Sequence, residues 1–182
     1  DNGAPLAVIE SGSVNALSTG AATGVAAKFL AREDARTATI VGCGIQGELQ
    51  LAAVAAVLPL RRAWVLDLDY ARAEGMAART RASLGIDVEA AKDLRQALAA
   101  SDVCVTCTPS RQAVVAAADV APGTFLAAVG ADAHGKQELE PILMATSTVV
   151  VDVLAQCVGV MQAKFQERRQ WTSKAHFLEG LI

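Results

Sequence analysis

The central part of the chain alternates short β-branched apolar runs with longer stretches of helical periodicity. The apolar runs predict strands at 37–41, 63–66, 86–89, 103–108, 124–129 and 148–153. Apolar residues spaced three and four positions apart predict helices at 46–58, 71–84 and 93–100. Strands that alternate with helices in this way indicate βαβ units, so we expect an α/β fold with a Rossmann-type, doubly wound parallel sheet.

The first 34 residues follow a different pattern. Asp1-Asn2-Gly3 predicts a hairpin turn, and the apolar run at 5–9 predicts a strand after it. Ser13 is expected to cap a helix that continues to residue 31. Its apolar residues recur at helical spacing and should form the buried face: Val14, Leu17, Ala21, Val25 and Phe29.

Residues 158–182 also differ from the alternating segment, because basic and aromatic side chains are interleaved there. This pattern favours a loosely attached helical tail. The chain is therefore expected to hold a helical lead-in at 1–34, a single dinucleotide-binding domain at 35–157 and a divergent tail at 158–182.

Composition narrows the class of protein. Hydrophobic residues make up 53% of the chain and aromatic residues only 4%, a balance that suits helices packed closely on a parallel sheet. The net charge of -3 argues against a nucleic-acid partner, which normally requires a basic surface. Because no apolar stretch reaches the roughly 20 residues of a membrane helix, and no leader pattern begins the sequence, we expect a cytoplasmic protein without a membrane partner.

Four cysteines are present, and Cys104 and Cys107 form a C-x-x-C pair. The pair lies in a predicted strand, where residues three apart point to opposite faces of the sheet. We therefore expect that these thiols do not meet, and no second pair of ligands completes a metal site. The cysteines are interpreted as structural, and no metal is expected.

A glycine motif follows the first predicted strand of the alternating segment directly. Gly42, Gly44 and Gly47 form G-x-G-x-x-G between that strand and the helix at 46–58. In such a motif the first glycine permits a tight turn, the second admits the pyrophosphate, and the third allows close packing of helix on strand. The amino end of the helix adds free N–H groups and a partial positive charge, so this context predicts a dinucleotide site.

Asp67 ends the second strand of this unit and completes the pattern. Its carboxylate can accept both ribose hydroxyls of NAD and would repel the 2′-phosphate of NADP. The next residue is Leu68, and the nearest following arginine is Arg72 on the next helix. The sequence therefore predicts NAD rather than NADP as the cofactor.

Ligands of open α/β sheets lie beyond the carboxyl ends of the strands. Thr108, Pro109 and Ser110 follow the fourth predicted strand of the alternating segment, and residues 130–132 follow the fifth. We expect these two segments to lie near the nicotinamide. An aspartate at the end of a strand is usually a turn or cap residue, and position alone does not distinguish Asp132 from one.

Three segments of the sequence resemble the ornithine cyclodeaminase/mu-crystallin family. They are Val-Gly-Cys-Gly-Ile-Gln at 41–46, Thr-Cys-Thr-Pro-Ser-Arg at 106–111 and, most specifically, Val-Gly-Ala-Asp-Ala-His-Gly-Lys-Gln-Glu-Leu at 129–139. The resemblance extends over residues 1–157 and implies a role for each matched position. Asp132 would be the catalytic acid/base, and the cofactor would be contacted by Ile45, Gln46, Thr108, Val129, Gly130 and Lys136.

The resemblance implies an NAD-dependent, ornithine cyclodeaminase-like activity. In that chemistry a hydride leaves the amino acid, the distal amine closes on the resulting imine with loss of ammonia, and the hydride returns to give proline. Asp132 would move the protons that these steps require. Ketimine reduction and the interconversion of alanine and pyruvate are alternative activities within the same family.

The chain departs from the family pattern ahead of its first residue and in its first helix. Family members carry an amino-terminal domain that binds substrate and forms the dimer, and Ser18 stands where an arginine is usual. Two interpretations follow, a cyclodeaminase-like enzyme represented by its NAD domain or a truncated nucleotide-binding module without turnover. We expect the isolated chain to be inactive. It is expected to act on a small amino-acid substrate only where a substrate domain is supplied. The sequence leaves open whether the chain forms a homodimer.

Overall fold

Five parallel strands form the central sheet of the computed structural model, which describes residues 3–133, 135–151 and 157 and the backbone of 175–177. The strand order is β3-β2-β1-β4-β5. The strands are β1 (Thr37–Val41), β2 (Arg62–Leu66), β3 (Asp87–Ala90), β4 (Val103–Thr106) and β5 (Phe125–Ala128). The helices are α1 (Gly12–Leu30), α2 (Ile45–Val57), α3 (Tyr70–Leu84), α4 (Leu94–Ala99) and α5 (Pro141–Thr146). The predicted Rossmann-type sheet is thereby confirmed.

The register of the sheet brings its carboxyl ends to one edge. Val41 pairs with Leu66 on one side and with Thr106 on the other, and Thr106 pairs with Ala128. The residues that follow these strands therefore emerge side by side. This edge carries every predicted cofactor segment.

Apolar side chains cover both faces of the sheet. One core cluster includes Ile40, Leu51 and Met76, from β1, α2 and α3. The second, on the other face, includes Leu98 and Cys104. Cys107 packs against the first cluster, so the prediction that the two thiols point to opposite faces is confirmed.

Helix α1 differs from the prediction in both its cap and its buried face. Ser11, not Ser13, is the N-cap residue, and the Glu10 carboxylate accepts the Gly12 amide. The side chains that pack inward are small, since Gly20 and Gly24 lie against the backbone carbonyls of Leu49 and Ala53 in α2. The predicted apolar face points outward: Val14, Leu17 and Phe29 are 62%, 60% and 57% exposed. Glycine and alanine bring the two helices into backbone contact, which bulkier residues would prevent.

Three predictions at the ends of the chain require correction. Residues 5–9 form no strand, because residues 3–10 are exposed and pair with none of the described strands. The predicted sixth strand is β6 (Val149–Val151), but it pairs in parallel with β7 (Ala175–Phe177) outside the main sheet. Residues 175–177 are therefore a strand, not part of a helical tail. Asp1, Asn2 and the rest of the predicted tail lie outside the described residues, among which no helix is long and apolar enough to cross a membrane.

Asp102 joins the amino ends of β1 and β4. Its carboxylate accepts the amides of Arg36 and Thr37 at 2.8 and 3.0 Å and the Thr37 hydroxyl at 2.8 Å. It also pairs with Arg32. Burial tends to raise the pKa of Asp102, but the hydrogen bonds from Arg36 and Thr37 and the charge of Arg32 outweigh it and hold the pKa below the ordinary value of 3.8.

Asp102→Ala is expected to lower the free energy of unfolding by about 2 kcal/mol at pH 7, because it removes three hydrogen bonds to a charged group. A carboxyl whose pKa is lowered in the folded state adds stability above its unfolded pKa of about 3.9, and this is lost as pH falls through the folded value. Urea unfolding at pH 7, 4 and 3 should therefore show the variant and the unaltered chain converging in acid. Asp34→Ala, at the 79% exposed partner of Arg32, serves as a control and should change stability by less than about 0.5 kcal/mol. A difference that stays constant with pH would contradict this role.

Candidate functional site

The turn after β1 requires glycine at two of its three motif positions for reasons internal to the protein. Gly42 has a φ of +103°, and its amide donates to the Leu66 carbonyl at 2.8 Å. A Cβ on Gly47 would lie closer than 3.0 Å to the Gly42 carbonyl oxygen, a separation that real Cβ atoms essentially never show. These two glycines allow the chain to turn and α2 to start directly against β1.

Gly44 is different, because nothing in the protein requires a glycine there. Its φ is -82°, which any residue adopts, and a Cβ at this position would meet no atom within 4 Å. The missing side chain leaves open space in front of the amino end of α2. That space fits a group that approaches the backbone closely, as a pyrophosphate does in this motif. The geometry of the loop is therefore compatible with a dinucleotide.

Helix α2 presents its first amides to the same space. The first N–H groups of any helix have no carbonyl acceptor within the helix, and with the helix dipole they favour an anion. Ile45 is 76% exposed at this end. The side-chain oxygen of Gln46 accepts a hydrogen bond from the Gln50 side-chain NH2 group at 3.2 Å, which directs the Gln46 side chain along the helix.

Asp67 follows β2 directly and is bonded to the glycine loop. One carboxylate oxygen accepts the Cys43 amide at 2.8 Å, and the other accepts the Asp69 amide at 3.0 Å. The carboxylate is only partly buried, and the next side chain, Leu68, is fully exposed. Asp67 is thus held in place at the position where the motif has its ribose-binding acid.

The ends of β4 and β5 lie beside this loop. A Cβ on Gly42 would lie 2.9 Å from the Cys107 carbonyl oxygen and 3.2 Å from the Thr108 methyl group, so the loop abuts the segment after β4. Val129 donates its amide to the Thr106 carbonyl at 2.8 Å, and its side chain packs against the core. Gly130 lies directly against Thr108, since a Cβ there would come within 3.0 Å of the Thr108 backbone nitrogen and oxygen.

Asp132 and Lys136 form an ion pair in the loop that continues from Gly130. The Lys136 ammonium lies 2.6 Å from an Asp132 carboxylate oxygen, and the side chains of Lys136 and Asp132 are 30% and 67% exposed. The predicted acid/base and the predicted cofactor contact are therefore brought together. His134, between them, lies outside the described residues.

Glu138 is a residue that the sequence analysis did not single out. It is 1% exposed, and both of its carboxylate oxygens accept hydrogen bonds. One oxygen accepts the Thr108 amide and hydroxyl at 2.6 and 2.8 Å, and the other accepts the Thr106 hydroxyl and the Gly130 amide at 2.9 and 2.8 Å. We call Glu138 with these four donors the Glu138 clamp.

Near the site, Cys43 is buried and Cys107 is half-buried, and both thiols have raised pKa values. Burial, followed by the negative charge of Asp67, raises the pKa of the Cys43 thiol to about 12, although Arg72 and Arg79 oppose the shift. Burial and the charge of Glu138 likewise raise the pKa of Cys107 to about 12. A thiolate is needed for nucleophilic or metal-ligating chemistry, so these residues have a packing role. Among the described residues no cluster of histidine, cysteine and acidic side chains could hold a metal.

Ser18, where the resemblance expects an arginine, makes a local contact. Its hydroxyl donates to the Asn15 carbonyl at 3.0 Å, and the Thr19 hydroxyl donates to the same carbonyl at 2.8 Å. Both side chains bond within α1. Ser18 therefore supplies no positive charge at this position.

Comparison with known proteins agrees with this geometry. An ornithine cyclodeaminase of Agrobacterium fabrum is 32% identical over 154 residues, which is 84% of this chain and 43% of the relative. The structure of an archaeal alanine dehydrogenase dimer with bound NAD superposes with a TM-score of 0.82 at 36% identity, covering 90% of this chain and 52% of that one. A Thermococcus litoralis Δ1-pyrroline-2-carboxylate reductase with NADH and L-proline superposes with a TM-score of 0.81 at 33% identity, covering 100% of this chain and 53% of that one.

The chain spans about half the length of the curated relatives it matches. The family model for the ornithine cyclodeaminase/mu-crystallin family matches residues 1–168, beyond the resemblance noted to residue 157. The match includes the glycine loop, Asp67 and the loop of Asp132 and Lys136. The chain belongs to the ornithine cyclodeaminase/mu-crystallin family.

Proposed function

We propose that this chain is the NAD-binding part of an ornithine cyclodeaminase-like enzyme. The observation that carries the proposal is the open space at Gly44, bounded by the α2 amino end and by the loop to which Asp67 is bonded. The pyrophosphate would lie against Gly44, Ile45 and Gln46, and the ribose hydroxyls against Asp67. Bound NAD would supply the acceptor and donor of the hydride.

The residues after β4 and β5 would contact the nicotinamide half. Thr108 abuts the glycine loop from the neighbouring strand, and Gly130 lies against Thr108 from the next strand, so both are at the same edge of the sheet. Val129 would contribute through its backbone, because its side chain packs in the core. This arrangement leaves the 130–136 loop at the mouth of the site.

Asp132 would exchange protons with the amino-acid substrate. Hydride loss from an α-carbon leaves an iminium group. Attack of the distal amine on that group and departure of ammonia require proton transfers, and a carboxylate can accept and return those protons. Lys136, 2.6 Å from Asp132, would hold that carboxylate in position and contact the cofactor. The substrate is proposed to be a small L-amino acid, with ornithine converted to proline as the first candidate.

A second candidate activity is oxidation or reduction of an amino acid without ring closure. The solved structures that superpose on this chain include the archaeal alanine dehydrogenase and the Thermococcus litoralis reductase, at 36% and 33% identity. The same Asp132 would serve in either reaction, because both pass through an imine.

Calorimetric titration of the chain with NAD and with NADP tests the cofactor proposal. We expect NAD to bind and NADP to bind at least tenfold more weakly; no heat with either ligand would overturn the proposal. Absorbance of NADH would then be followed with L-ornithine, L-alanine and L-proline, on the unaltered chain and on Asp132→Asn. Turnover that Asp132→Asn removes without changing NAD affinity would support the enzymatic role. Because the chain by itself is expected to be inactive, the assay is repeated with the substrate domain of a relative fused ahead of it. NAD binding without turnover in that fusion would favour a nucleotide-binding module.

A further inference from the structure

The Glu138 clamp joins the chain segments after β4 and β5 where their strand pairing ends. Backbone pairing runs from Val103 with Phe125 to Thr106 with Ala128. Beyond it the Gly130 amide donates both to the Thr106 carbonyl, at 3.1 Å, and to Glu138. Without the carboxylate, the two segments would lose the bonds that hold Thr108 and Gly130 against each other.

The backbone that carries Glu138 is itself fixed. Its carbonyl accepts the amides of Val114 and Val115 at 2.8 and 2.9 Å, and the Gln137 amide donates to Ser110 at 2.8 Å. The carboxylate therefore enters from a segment that is bonded to the chain following Thr108. It cannot move independently of the residues that it holds.

A buried carboxylate is a costly way to join two strands. Removing an ion from water costs several kcal/mol even after relaxation, so such a group persists only where hydrogen bonds satisfy it. An apolar side chain of similar size could fill the same volume at lower cost. What an apolar side chain could not do is fix the Thr108 hydroxyl and the two amides in one defined arrangement.

We propose that Glu138 is a positioning residue for the nicotinamide half of the site, an inference that rests on the proposed function. It sets the places of Thr108 and Gly130, and through Gly130 the start of the loop that bears Asp132 and Lys136. The adenosine half of the site is held by different contacts. Asp67 accepts the amides of Cys43 and Asp69, which lie in the loops after β1 and β2. Loss of the Glu138 clamp should therefore weaken binding of the nicotinamide half of the cofactor and leave binding of the adenosine half unchanged.

Glu138→Gln tests this selectivity. The glutamine oxygen can still accept the Thr108 donors, but the glutamine NH2 group cannot accept the Gly130 amide. Two donors, the NH2 group and the Gly130 N–H, would then face each other. We expect NAD to bind about tenfold more weakly, while ADP-ribose, which lacks the nicotinamide, binds within about twofold of the unaltered chain. Both affinities would be measured by calorimetry on the 182-residue chain.

Glu140→Gln is the matched control. Its carboxylate is two residues away and accepts one amide, that of Ala117, at 2.7 Å. It touches neither Thr108 nor Gly130, so both ligands should bind as they do to the unaltered chain. Thr106→Val is a second test variant, because it removes one donor of the clamp and keeps the β-branched shape; it should reduce NAD affinity alone, by less than Glu138→Gln does.

Each result decides the inference. Equal losses of NAD and ADP-ribose affinity in Glu138→Gln, or no loss of either, would overturn the positioning role while leaving the proposed cofactor in place. If Glu138→Gln does not fold, the same comparison is made on Thr106→Val, and unchanged NAD affinity there would reject the inference. If the unaltered chain binds neither ligand, the proposed function fails and the positioning role fails with it.

Discussion

Gly47→Ala is expected to lower the free energy of unfolding by about 3 kcal/mol and to abolish NAD binding. The added methyl group would overlap the Gly42 carbonyl oxygen, so α2 would have to move away from β1. That movement would open the loop that presents its amides to the phosphates. Chemical unfolding monitored by circular dichroism, and calorimetric titration with NAD, measure the two effects.

Gly44→Ala provides the matched control for this variant. The two glycines are three residues apart in the same motif, but a methyl group at Gly44 would enter open space at an ordinary φ. Stability should therefore stay within about 0.5 kcal/mol of the unaltered chain, since the change is on the surface. NAD affinity should nevertheless fall at least tenfold, because the methyl group would occupy the space of the pyrophosphate. Unchanged affinity in Gly44→Ala would contradict the placement of the cofactor.

Asp67→Asn is expected to weaken NAD binding by about 10- to 100-fold and to reduce the preference over NADP. The amide removes the negative charge and one of two acceptors for the ribose hydroxyls, and a hydrogen bond to a charged group contributes about 1.5–3 kcal/mol. Asparagine can still accept the Cys43 amide through its oxygen, so the glycine loop should keep its shape, and only the exposed bond from the Asp69 amide is lost. Parallel titrations with NAD and NADP give the ratio of the two affinities.

Asp69→Asn is the control for charge. Asp69 is two residues from Asp67, is exposed, and caps α3 through the amides of Ala71 and Arg72. Asparagine caps helices about as well as aspartate, so neither stability nor NAD affinity should change.

If Asp67→Asn binds NADP, adding Arg72→Ala should remove that binding, because Arg72 is the nearest basic residue after Asp67 in sequence. An Asp67→Asn variant with unaltered NAD affinity would reject the ribose contact.

The sheet and the glycine loop could be predicted from the sequence because both depend on local patterns. β1, β2 and β4 are short apolar runs that contain β-branched residues, and the helices after β1, β2 and β3 each begin four residues beyond the end of the strand. Gly85 ends α3 with a left-handed φ of +67°, as its position after the helical periodicity indicates. Asp67 was found because its spacing from the loop follows from the length of one βαβ unit.

Helix α1 shows where the periodicity argument was insufficient. Large apolar residues at helical spacing normally mark the buried face, but here Gly20 and Gly24 allow backbone contact with α2. Ala16 and Ala27 are buried with them, whereas Leu17 and Phe29 lie outside. The periodicity indicates that a helix has an apolar and a polar face, but the element packed against the helix determines which face is buried.

Glu138 was missed because its function depends on contacts distant in sequence. Its donors lie 32, 30 and 8 residues away, at Thr106, Thr108 and Gly130. The sequence offered two signals: Glu138 lies within the 129–139 segment that carries the family resemblance, and two threonines alternate at the end of a buried strand. Only the folded chain shows that these threonines and the glutamate meet.

The contacts of α1 with α2 also define a direction. Gly20 lies against Leu49 and Gly24 against Ala53, so four residues along one helix correspond to four along the other. The two helices therefore run parallel, and the amino end of α1 lies beside the amino end of α2. Any domain fused ahead of α1 would consequently be tethered next to the glycine loop and not at the opposite end of the sheet. Residues 3–11 are therefore the preferred junction for chimeras that supply a substrate-binding domain.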